Sequence, residues 1–90
     1  DKNIKFSRRK KDAVIRIFSK IKIDNLSIHI HELNAEYEGQ TIDGQVFTIA
    51  LPDLRKAGKY TMDVYYNNNL LKCGLEFMAE NVDFSERKLL

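Results

Sequence analysis

The run Leu26-Ser27-Ile28-His29-Ile30-His31 alternates apolar and polar residues without a break. Successive side chains of an extended chain point to opposite faces, so a period of two specifies a strand with one face in a core and the other in water. A helix would scatter these apolar residues around its circumference instead of gathering them on one stripe. The same pattern returns twice. Phe47, Ile49 and Leu51 share one face of a stretch that follows an Asp43-Gly44 turn, and Tyr60, Met62, Val64 and Tyr66 share one face of the next. Ala13-Val14-Ile15-Arg16-Ile17-Phe18, continued by Ile21 and Ile23, is rich in β-branched and aromatic residues and reads as another strand.

Shorter strands are expected at Ile4-Lys5-Phe6 and near Glu36-Tyr37-Glu38. Asn67-Asn68-Asn69 tolerates positive φ, so the chain can reverse there into Leu70-Leu71 and run on to Leu75-Glu76-Phe77-Met78. The total is about seven strands with turn signals every 8 to 12 residues or so, the spacing of an all-β sandwich. Helix is confined to a turn at Asp53 to Ala57 and a marginal segment from Phe84 to Leu90. With 90 residues, the chain suits one domain over 1–90 and one core, leaving little room for an enclosed active site. No apolar run approaches the roughly 18 to 20 residues of a membrane span, and no secretion signal is seen, so a virion or cytoplasmic location is expected. The one cysteine, Cys73, forms no intrachain disulfide and reads as a small core residue.

The formal net charge of +2 conceals a division. Residues 1–22 hold nine basic side chains against two acidic ones, a local charge of +7, and the remainder sums to −5. Such asymmetry points to a basic segment that meets something acidic. Arg8-Arg9-Lys10-Lys11 is its densest part and the candidate electrostatic contact, the alternative being a solvated turn. The acidic remainder of an adjacent copy accounts for the split without nucleic acid. Nucleic-acid binding stays as the rival, although it calls for interleaved aromatic or polar groups that read or stack on bases.

The segment Leu51-Pro52-Asp53-Leu54-Arg55-Lys56-Ala57-Gly58-Lys59-Tyr60-Thr61-Met62 ends one strand at a proline and turns a corner at Gly58. It then starts the next strand with a tyrosine whose ring can pack inward while its hydroxyl reaches backbone. In immunoglobulin-like sandwiches a tyrosine stands two residues before a core cysteine at this corner, and here Met62 takes the cysteine's place. The chain thus resembles the disulfide-free relatives of that class. From Asp43-Gly44 through Leu51-Pro52 and Ala57-Gly58-Lys59-Tyr60 to Val64-Tyr65-Tyr66-Asn67 it is similar to the second half of a filamin-type repeat. Its opening, Ile4-Lys5-Phe6-Ser7-Arg8 with the Val14 to Phe18 strand, resembles immunoglobulin-like modules of phage virion proteins such as baseplate or capsid-accessory subunits. Both resemblances imply an immunoglobulin-like antiparallel β-sandwich with a structural or protein-binding role.

The filamin resemblance implies that the alternating strand at 26–31 receives an added partner strand, with Ser27, His29, His31 and Tyr37 lining the binding face. A polar, blunted edge strand is the alternative reading of the same residues. His29 and His31, two apart, can approach one metal ion from a single strand face, but no second ligand pair is recognisable, and no metal or cofactor is expected. Tyr65 should face outward beside the asparagine turn as a further contact residue, opposite an inward Tyr66. Enzyme signatures are missing: there is no phosphate-binding glycine loop, G-x-S-x-G or H-E-x-x-H. The expected function is that of a non-catalytic module docking within a larger assembly, with protein partners that include copies of itself.

Overall fold

The computed structural model describes residues 3–7, 9 and 12–81. Seven strands follow one another: β1 (Asn3–Phe6), β2 (Ala13–Phe18), β3 (Ser27–Ile30), β4 (Ala35–Glu38), β5 (Val46–Leu51), β6 (Gly58–Tyr66) and β7 (Asn69–Asn81). One 3-10 turn, His31–Leu33, joins β3 to β4, and no α-helix occurs among the described residues. The protein is all-β, with no described helix long and apolar enough to cross a membrane. The tail from Phe84 to Leu90, expected to form a marginal helix, lies outside the described residues.

Five strands form one sheet in the order β1-β7-β6-β3-β4, and β2 and β5 form a second. Every pairing is antiparallel except β1 with β7. The alternating runs put one face of each sheet into a single core. Phe47, Ile49 and Leu51 of β5 and Ile15 of β2 cluster there with Ile28, Ile30, Tyr60, Met62, Val64 and Phe77 of the larger sheet. Ile28, Ile30, Phe47, Ile49 and Leu51 are completely shielded from solvent. Truncating a residue such as Phe47 to alanine removes about 3 to 5 kcal/mol in cores of this kind.

Local chemistry sets the turns. Gly44 has φ +79°, and a Cβ there would approach the Ile23 carbonyl oxygen to 3.0 Å, so glycine is required on two counts. The Asp43 carboxylate accepts hydrogen bonds from the N–H groups of Val46 (3.0 Å) and Gln45 (2.9 Å), which hold its pKa below the ordinary value. Asn67 and Asn68 both have positive φ, at 50° and 66°, as a two-residue hairpin turn between right-twisted strands demands. Asn25 fastens this turn from outside, accepting from Asn67 N–H at 3.0 Å and donating through Nδ2 to Asn67 Oδ1 at 2.7 Å. At the corner before β6, the Tyr60 hydroxyl donates to the Lys56 carbonyl at 2.6 Å while its ring stacks on Phe77 with centroids 5.6 Å apart.

Several expectations need correction. First, β3 is no edge strand: β4 and β6 bond to it on either side, so it has no free ladder to offer a partner strand. The edge is β4. Second, Tyr37 points inward and is buried, its hydroxyl donating to Asp53 Oδ2 at 2.7 Å. Third, Cys73 is exposed. The β1 strand covers β7 only from Met78 to Asn81, and the second sheet is two strands wide, so the first half of β7 is left uncovered. Leu71 and Leu75 are exposed for the same reason, and with Ile17, Phe18, Ile23, Leu26 and Val64 they line an open apolar groove. Fourth, β2 ends at Phe18, Ile21 is exposed, and Tyr66 is half-buried, not in the core. Tyr65 and Tyr66 are both half-buried at the end of β6, where the chain turns into β7.

Burial, followed by the Asp53 hydrogen bond and charge, pushes the Tyr37 phenol up to about 12 from 10. The unfolded chain releases this proton near pH 10 and the folded chain near 12, so between those values the folded state holds more protons and stability falls as pH rises. The contribution is complete below pH 10 and is lost as the pH rises through about 12. Tyr37→Phe should cost about 1 kcal/mol at neutral pH for the lost hydrogen bond and remove that alkaline slope. Urea unfolding of both proteins from pH 8 upward checks this; a wild-type-minus-variant difference that stays flat through the window contradicts it.

Candidate functional site

The outer face of the five-stranded sheet collects most of its polar chemistry around β3. Because Ile28 and Ile30 face the core, Ser27 and His29 face outward, in register with Glu38 and Glu36 on β4 and with Tyr65 and Asp63 on β6. Glu36 and Glu38 are exposed along the β4 edge. His29, Glu36, Tyr65 and Asn68 border a shallow depression at one side of this face.

His31 lies one residue beyond the strand, at the start of the 3-10 turn, yet its ring stays close to that of His29, with centroids 5.8 Å apart. Two contacts hold it there. Asn34 closes the turn in the left-handed conformation, at φ 48° and ψ 48°, and its N–H returns to the His31 carbonyl. Glu32 then clips the turn to β6, accepting from the Thr61 N–H at 2.7 Å and the Thr61 hydroxyl at 3.0 Å. Burial works to raise the Glu32 pKa, but the Thr61 hydrogen bonds and the nearby His31 outweigh it and leave the group below its ordinary value.

Asp63 completes the cluster. Its Oδ2 lies 2.8 Å from His31 Nε2, and since a carboxylate only accepts, the hydrogen sits on Nε2. Its Oδ1 accepts from the Gly74 N–H at 2.9 Å. Gly74 can aim that N–H because β7 bulges opposite Asp63, with Gly74 at φ +69°. The Gly74 hydrogen bond first, and His31 second, hold the Asp63 carboxyl below its ordinary range. His29, His31 and Asp63 therefore present one ligand atom each, all within 4.8 Å of one another.

Of the residues singled out from sequence, Ser27, His29 and Tyr65 share the outer sheet face, and His31 joins them from the turn. Tyr37 does not, being turned into the core. Arg9 is exposed, its N–H donating to Ser7 Oγ, whereas Arg8, Lys10 and Lys11 lie outside the described residues. Asp63 and Glu32 escaped sequence reasoning. The alternation Tyr60-Met62-Val64 already put Asp63 on an outward face, but only the β3–β6 register brings it beside the histidines.

The placement of Cys73 has a direct check. In the folded protein its thiol should react with a disulfide reagent at a rate within a few-fold of that in denaturant. A thiol that reacts only after unfolding would contradict the uncovered first half of β7.

No curated protein and no solved structure matches this chain. A family model described as a domain of unknown function, DUF7862, matches residues 1–82. The chain belongs to the DUF7862 family.

Proposed function

We propose that the domain is a non-catalytic assembly module, an immunoglobulin-like β-sandwich that joins copies of itself through oppositely charged ends. The observation carrying this reading is the position of β4, the last strand of its sheet, with Glu36 and Glu38 exposed along it. A strand edge offers unpaired N–H and C=O groups to another chain, and carboxylates beside it select a basic partner. The chain carries such a partner in its own residues 1–22, at +7, where Lys5 and Arg16 are exposed on β1 and β2. Copies joined in this way meet head to tail, through unlike surfaces that form rings or open filaments depending on the rotation between neighbours.

The order β1-β7-β6-β3-β4 facing β2-β5, and the tyrosine corner made by Tyr60 and Lys56, support the immunoglobulin-like assignment. Modules of the filamin and phage-virion type resembled by the sequence use this architecture to hold other proteins.

Sedimentation of the protein over a range of concentration and salt tests the proposal. Association should appear at low ionic strength, weaken as salt is added, and disappear in Glu36→Lys/Glu38→Lys. A monomer under all conditions, or association indifferent to those substitutions, rejects it. The nucleic-acid reading of the basic segment is tested in parallel with duplex and single-stranded probes. It requires binding whose salt slope flattens when Arg8, Arg9, Lys10 and Lys11 are replaced.

A further inference from the structure

We propose that His29, His31 and Asp63 form a three-ligand site for a divalent transition-metal ion of the zinc class. Two imidazoles and a carboxylate are the borderline-soft and hard donors that Zn²⁺ and its neighbours accept, and three protein ligands plus a solvent position make a complete open site. The three donor atoms lie within 4.8 Å of one another. Around a tetrahedral ion with bonds near 2.1 Å, donors stand roughly 3.4 Å apart. The His31–Asp63 pair, at 2.8 Å, would open slightly around an ion, and the widest pair, at no more than 4.8 Å, would draw in.

Neighbouring contacts hold the ligands in place. Asp63 keeps Oδ1 on the Gly74 N–H while Oδ2 faces the histidines, which fixes the carboxylate's orientation. Glu32, tied to Thr61, fixes the turn that carries His31. Glu36, in register with His29, adds negative charge beside the site. Coordination through His31 Nε2 replaces its hydrogen bond to Asp63, and the ring hydrogen moves to Nδ1. The two histidines alone are a weak chelate; the third ligand comes from β6, so the site exists only in the folded sheet and an ion bound there stabilises it.

The test uses the untagged full chain, titrated with Zn²⁺ by calorimetry and with Co²⁺ by visible absorption. One ion per chain is expected, with a raised thermal midpoint and a Co²⁺ spectrum of low-symmetry N/O ligation. His29→Gln, His31→Gln and Asp63→Asn should each weaken binding by at least about tenfold, the loss typical even of outer-shell partners. Glu76→Gln, an exposed carboxylate on β7, and Cys73→Ser should leave it unchanged. His29→Gln removes no hydrogen bond from the Asp63 anchor, so a folding defect in Asp63→Asn cannot obscure the result. Loss of binding in Cys73→Ser, equal binding by wild type and His29→Gln, or the absence of saturable binding would overturn the proposal.

Discussion

The position of β3 between β4 and β6 is the constraint from which the rest of the molecule follows. Hydrogen-bonded on both sides, the strand has no choice of register, because a slip of one residue would turn Ile28 and Ile30 to water and bury His29. Both isoleucines are completely buried. Fixing them against Phe47 and Ile49 of the second sheet fixes the outer face as well, and places His29 between Glu36 and Asp63. Core and surface chemistry are thus two consequences of one pairing.

Much of the fold was legible in individual residues. Alternation marked the core faces of β3, β5 and β6, and positive-φ residues marked the reversals at Asp43-Gly44 and Asn67-Asn68. Neighbour relations were less accessible, since period-two patterning says which way a side chain faces and nothing about which strand lies alongside. Three misplacements share that origin. The β3 strand looked like an edge because its polar face resembles one; Tyr37 looked available because nothing local reveals Asp53 as its partner; and Cys73 looked buried because its strand is apolar, although the narrow second sheet leaves that stretch uncovered. The histidine pair was visible from spacing, whereas Asp63 and Glu32 joined it only through the register of β6.

The charge division takes on spatial meaning in this architecture. Sequence arithmetic separates a basic segment at residues 1–22 from an acidic remainder, and the sheet order sets β1 and β4 at opposite ends. The proposed head-to-tail contact would join these two ends. The outer-face cluster adjoins that edge, since Glu36 of β4 is in register with His29 of β3.

Amide hydrogen exchange measured at low and high protein concentration tests the interior position of β3 and the adhesive edge of β4 together. The account predicts slow exchange in β3 at every concentration and protection in β4 that grows with concentration and is lost when salt is added. Exchange in β3 as rapid as at an edge, or β4 protection that does not respond to concentration, would contradict it.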